Sequence, residues 1–212
     1  MPLPQADTEL VQIMDAAFAD AVRRAGPWLV CKPGCSQCCH GAFALNALDA
    51  ARLRQGMDLL WVDNPMRADA VEKRAHHWIA EHGPNFPGSL LTGILGDSPQ
   101  DRDRFEEFDG DAACPALDPA TGRCDLYTAR PLTCRIFGPP VRMEQDENSG
   151  LGCCELCFVD ASESEIADCE MEVPHDLEAK ILTAMDARSE TGAAGETVVA
   201  FALVGLGPGV ER

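Results

Sequence analysis

Four thiols stand within nine residues, Cys31-Lys32-Pro33-Gly34-Cys35-Ser36-Gln37-Cys38-Cys39. Thiolate is the soft ligand that zinc and iron–sulfur clusters select, and a loop turning at Pro-Gly can aim several thiolates at one point. Two further groups follow, Cys114, Cys124 and Cys134, then Cys153, Cys154 and Cys157, while Cys169 stands apart. The ten grouped cysteines are the candidate metal ligands. A total of 11 is odd, so the set cannot close completely into disulfides. The opening Met1-Pro2-Leu3-Pro4-Gln5-Ala6-Asp7 has neither the basic start nor the long apolar run of an export signal. A reducing cytoplasm is the expected location, and there clustered cysteines signal metal or redox chemistry more often than structural bridges.

Composition narrows the partners. Lysine and arginine number 17 against 35 acidic residues, a formal net charge of −18, which opposes binding to nucleic acid or anionic membrane through phosphate neutralisation. The longest apolar stretch, Val198 to Val204, is far short of the roughly 20 residues a bilayer span needs. With 46% apolar residues the chain can bury a real core, and one domain over 1–212 is expected. A basic protein surface is the partner such an acidic chain would choose.

The elements that must position the thiols are legible in outline. Leu10, Met14, Ala17, Phe18 and Ala21 recur at helical spacing, predicting a helix over 8–25 capped by Asp7 or Thr8 and ended by Gly26-Pro27. Trp28 then leads into the thiol loop, either shielding a metal from water or serving as an ordinary core anchor. Asn46 is a plausible N-cap for a helix that Gly56 breaks, and Pro65 opens another to about Glu81. His76, His77 and His82 on that helix lie far from any cysteine pair and read as surface or packing residues. Gly83 to Asp111, rich in Gly, Pro and acid including Asp101, Asp103, Asp109 and Asp111, predicts a weakly ordered acidic surface segment over 83–111; it lacks the ligand spacing of a calcium loop.

Cys114 and Cys124 flank Asp118-Pro119-Ala120-Thr121-Gly122, as the strands of a small hairpin would. Pro131 suits the first turn of a helix carrying Cys134, where the positive helix end would lower its pKa, and Arg130 and Arg135 are candidates to pair with thiolate charge. Helices over 162–171 and 176–187 and a terminal strand over 197–203 complete the outline. The terminal Gly205-Leu206-Gly207-Pro208-Gly209 has no helix after it and carries little phosphate-binding signal. The expected class is α+β, a mainly helical domain with short β-hairpins, stapled by cysteine-ligated metal.

Cys31-x3-Cys35-x2-Cys38-Cys39, followed by Cys114, Leu117, Gly122-x-Cys124, Leu126-Tyr127, Arg130-Pro131 and Cys134-Arg135, resembles the YkgJ-type cysteine-cluster family, a bacterial group described as zinc- or iron-chelating. The likeness spans about residues 28–158. It implies a cysteine-ligated metal or iron–sulfur centre in the cytoplasm. Some relatives are described as iron–sulfur proteins, and a related flagellin lysine methylase shows that enzymes are built on the motif. It implies no substrate, and it covers Cys153, Cys154 and Cys157 less firmly.

Neighbouring Cys38 and Cys39 point in different directions along a chain, which argues for two sites. The expected partition gives Cys31, Cys35 and Cys38 with one of Cys114, Cys124 or Cys134 to the first, and Cys39 with the Cys153 group to the second. Concentration of thiols in one loop favours an iron–sulfur cluster over zinc, whose structural sites present separated pairs. Three functions follow: an iron–sulfur protein with a redox or transferase role, a zinc-stapled protein-interaction module, or a radical S-adenosylmethionine enzyme. Against the last, Gln37 stands where an aromatic is expected and no barrel pattern is present. No Ser-His-Asp pattern with a nucleophile elbow occurs, and His40 beside Cys39 suits a ligand or structural role better than a base.

Overall fold

The computed structural model describes residues 3–108, 110–145, 148–188 and 194–210. It is a mainly helical α+β fold with three two-stranded antiparallel pairs. In chain order the elements are α1 (Gln5–Ala25), α2 (Ala47–Asp63), α3 (Pro65–His82), β1 (Gly88–Ser89), β2 (Ile94–Leu95), α4 (Pro99–Glu106), β3 (Leu117–Asp118), β4 (Arg123–Cys124), α5 (Leu132–Ile136), β5 (Val141–Gln145), β6 (Asn148–Gly152), α6 (Glu163–Ala167), α7 (His175–Asp186) and α8 (Val199–Leu203). Among these elements no helix is long and apolar enough to cross a membrane.

α1 begins three residues before the expected start. Pro4 is its N-cap, and Asp7, expected as a cap, is buried in the first turn against Arg52 of α2. Leu10, Met14 and Ala21 supply its buried stripe, which meets Leu48, Met171, Ile181 and Met185 from α2, α7 and the segment between. Arg24, at the end of α1, donates to the carbonyls of Asp168 and Glu170 and ties down the chain that carries Cys169.

α2 starts where Asn46 predicts, the Asn46 side chain accepting from the amides of Leu48 and Asp49. Gly56 does not break it. A Cβ at Gly56 would stand 2.3 Å from the Cβ of Ala129, so the glycine lets the 3₁₀ turn Tyr127–Ala129 press onto the helix. Propensity against glycine, roughly 1 kcal/mol, is outweighed here by packing. α2, α3 and α8 enclose the largest core, built on Leu45, Leu53, Met57, Val71, Ala75 and Leu203, and the half-buried Cys114 and Cys124 back onto it.

Two further expectations are corrected. The 83–111 segment is structured among its described residues, with Asp109 lying outside them. Ser98 caps α4, β1 pairs with β2, and Phe86, Phe105 and Phe108 join Trp78 and Phe201 in an aromatic cluster with ring separations of 4.6–6.1 Å. Three aromatics spaced among acids were enough to anchor it. The 197–203 run is α8, preceded by a single bridge between Thr197 and Leu45, rather than a strand. All five residues of α8 are buried, so no polar face existed to reveal its period, and a short, wholly apolar run reads alike in either form. The β5–β6 hairpin had no counterpart in the sequence reading.

Candidate metal centre

The thiol loop is held on two sides by different parts of the chain. Its second half is zipped to the segment before β3: the Cys114 amide donates to the Cys39 carbonyl at 2.8 Å, the Gly41 amide to the Ala112 carbonyl at 2.9 Å, and His40 bridges to Ala113. Cys38 and Cys39 lie on the 3₁₀ turn Gln37–Cys39. β3 and β4 form the expected hairpin with Leu117 opposite Cys124, bringing Cys124 towards Cys114. Cys134 sits on α5, whose first amide, that of Leu132, donates to the buried Asp49 at 2.9 Å. Cys38, Cys39, Cys114, Cys124 and Cys134 thereby become neighbours, all half-buried.

The first half of the loop faces elsewhere. The Phe158 amide donates to the Trp28 carbonyl at 2.9 Å and the Cys154 amide to the Gly138 carbonyl at 3.3 Å, while from the second half the Gln37 side chain crosses over to donate to Glu155. The Cys31 and Cys157 sulfurs stand 3.9 Å apart. Cys35 is an electrostatic neighbour of both Cys31 and Cys154, and Cys153 of Cys157. Trp28 and Phe158 pack with buried Cys154, Cys157 and Cys169, so Trp28 covers thiols instead of anchoring a distant core.

This grouping differs from the expected partition in two respects. Cys31 and Cys35 stand with Cys153, Cys154 and Cys157 and not with Cys38. Cys38 and Cys39 share one environment, their side chains hydrogen-bonded to each other. Cys169, set apart in sequence, is packed against the outer thiols. Gly138 had not been singled out: at φ +120°, a Cβ there would meet the Cys31 sulfur at 2.9 Å. Its only sequence trace is the Gly-Pro-Pro run that follows α5.

Burial pushes Cys31 and Cys114 up to about 12, the surrounding thiols adding to it. Burial likewise raises Cys124, Cys134, Cys153 and Cys154. For Cys134 this reverses the lowering expected from the helix end, because desolvation and neighbouring thiols outweigh the dipole of a five-residue helix. Cys38 is the exception, held down to about 6 by the hydrogen bond from Cys39, with Arg130 and His40 adding positive charge against burial. Cys39 is correspondingly raised as the donor.

Arg130 lies over the Tyr127 ring at 3.7 Å and acts on Cys38 and Cys124, as expected of a thiolate partner. Arg135 does not; it is buried and committed to Asp15 and to the carbonyls of Thr128 and Arg130. His76 and His77 are exposed, His77 facing Glu81, and His82 packs on Trp78 at 4.8 Å.

Among the described residues no three Cys, His, Asp or Glu side chains already stand around a common point at coordinating distance. The donor set nevertheless fits a soft metal: gathered, partly buried thiols, several of them raised by burial and by one another, are groups a thiophilic cation would deprotonate and hold together. Beside them, a groove of about 390 Å³ opens between Cys114, Pro115 and Leu117 on one wall and Lys73, Arg74, His77 and Trp78 of α3 on the other.

Fold and thiol gathering together define a cysteine-cluster metal-binding protein. Residues 30–169, about two thirds of the chain, match the CxxCxxCC family, whose description is putative zinc- or iron-chelating domain. The chain belongs to that family. No curated protein and no solved structure matches it.

Proposed function

We propose that the protein is a cytoplasmic iron–sulfur protein whose cluster serves a redox or transferase reaction on a small molecule bound in the groove beside Cys114. The observation that carries this reading is that Cys114, one of five neighbouring half-buried thiols, lines an open groove. Structural metal sites are closed, whereas reactive ones keep an approach for a ligand. All ten grouped cysteines are available as ligands. A bound cluster would supply one-electron chemistry or a Lewis-acidic iron. Trp78 gives the groove an apolar wall, and its edge carries both signs, Lys73 paired with Asp69 and Arg74 with Asp125 beside Glu81, favouring a ligand with an apolar body.

Anaerobic purification with a visible spectrum and iron, sulfide and zinc analysis tests it. A brown protein with matching iron and acid-labile sulfide is expected. A colourless protein with stoichiometric zinc overturns it. The second reading would then hold, a zinc-stapled module that binds a basic protein partner, supported by the −18 charge.

A further inference from the structure

The two gatherings of thiols are set mainly by different parts of the chain, which touch where Gln37 donates to Glu155 and where Gly34 meets Gly122 of the β3–β4 turn. The inner five are set by the 39–41/112–114 zipper, the β3–β4 hairpin and α5, and Cys114 and Cys124 among them back onto the core between α2, α3 and α8. The outer set is made by 28–35 meeting Gly138 and the 153–158 turn, and it backs onto Trp28, Phe158 and Cys169. The neighbouring thiols that act on Cys31 are Cys157, Cys154 and Cys35, and those that act on Cys154 are Cys157 and Cys35. Those that act on Cys39, Cys114 and Cys134 are Cys38 and the hairpin thiols. The dividing line falls between Cys35 and Cys38, where the chain crosses from one scaffold to the other. Each side has at least the four thiolates that one tetrahedral ion or one cluster requires. The surroundings also differ. The outer set runs from exposed Cys31 and Cys153 to buried Cys154 and Cys157, whereas each inner cysteine is half-buried.

We propose that the chain holds two separate thiolate metal centres. The inner one is ligated from Cys38, Cys39, Cys114, Cys124 and Cys134, and the outer one from Cys31, Cys35, Cys154 and Cys157, with Cys153 at its rim. This rests on the metal-binding part of the proposed function but not on the choice of iron. The inner centre meets the groove at Cys114, and the outer one staples 28–35 to 153–158 and opens to solvent at Cys31, so it exchanges metal first.

The test uses the purified full-length holoprotein. Metal is drawn out slowly with bathophenanthroline if it is iron, or EDTA if it is zinc. Aliquots are quenched with N-ethylmaleimide, mapped by peptide mass spectrometry and weighed intact under native conditions. Metal is expected to leave in two phases. In the first, Cys31, Cys35, Cys154 and Cys157 become labelled together while the inner five stay protected, and an intermediate retaining part of the metal is seen in the native mass. Labelling of Cys35 and Cys38 in step, with metal lost in one phase, overturns the proposal. Cys35→Ser gives a second readout: it should lower metal content by the outer share and leave the inner five protected, and loss of all metal from a variant with wild-type circular dichroism also overturns it. A zinc result would sink the iron–sulfur reading yet leave this partition open to the same measurement.

Discussion

Gly138 and Cys31 are fitted to each other: a Cβ at 138 would lie 2.9 Å from the Cys31 sulfur, and the glycine backbone sits at φ +120°. Both facts penalise any side chain there, the backbone strain alone by about 1–3 kcal/mol. Gly138→Ala is therefore expected to lower the midpoint of urea unfolding and to reduce metal content while Cys114 and Cys134 remain protected from alkylation. Full metal content at unchanged stability would show that the Cys31 sulfur is placed by something else.

Cys38 is the one grouped thiol with a lowered pKa, about 6, caused first by the hydrogen bond from Cys39 and helped by Arg130 and His40. In the metal-free, reduced protein it is the grouped thiol expected to ionise first, whereas burial raises Cys31 and Cys114 to about 12. The thiolate is the nucleophile, so reactivity is present above the pKa and lost as pH falls through it. Iodoacetamide should modify Cys38 first at pH 7, with a rate that drops by half near pH 6. Cys39→Ala should move that midpoint upward, and Arg130→Gln should move it less. Preferential labelling of Cys114 would contradict the assignment.

How far the sequence foretold this molecule can be seen at particular residues. Asn46, Pro65 and the Asp118–Gly122 turn were readable because caps, first-turn prolines and hairpin turns act through a few adjacent residues. The ten grouped cysteines stood out through chemistry and spacing alone. Their division did not, because it depends on Trp28 meeting Phe158 and on Cys39 meeting Cys114, contacts between segments more than 70 residues apart. Gly56 and α8 misled for a related reason. In one case a tertiary neighbour overrode a local preference, and in the other complete burial erased the polar face that shows a period.

Gly56→Ala sets two magnitudes against each other. Replacing a helical glycine gains roughly 1 kcal/mol of propensity, whereas the added methyl would stand 2.3 Å from the Cβ of Ala129, which cannot swing aside. Overpacking typically costs about 1–3 kcal/mol. A net loss of stability is expected, together with displacement of the turn that leads to Arg130, seen as slower alkylation of Cys38 near neutral pH. The double variant Gly56→Ala with Ala129→Gly should recover most of the stability. A more stable single variant would mean that the turn yields freely.

Arg52 is buried between two carboxylates, accepted by Asp7 at 2.6 and 2.9 Å and by Asp49, which also holds the Leu132 amide at the start of α5. Removing the cation leaves two uncompensated charges in the core, so Arg52→Met should cost about 3–5 kcal/mol. Asp49→Asn should cost less, because the amide oxygen can still accept from Leu132 and the Arg52–Asp7 pair remains. Burial raises the Asp49 carboxyl despite the opposing charge of Arg52. Since its folded pKa lies above its unfolded value, folding favours the neutral acid. The contribution is therefore fully present below the ordinary carboxylate range and is lost as pH rises through the folded value. Urea unfolding from pH 4 to 8 should show this decline in the wild type and a flatter profile in Asp49→Asn. An unchanged slope in that variant would move the effect to another group, and equal losses for the two substitutions would mean that Arg52 contributes packing more than charge.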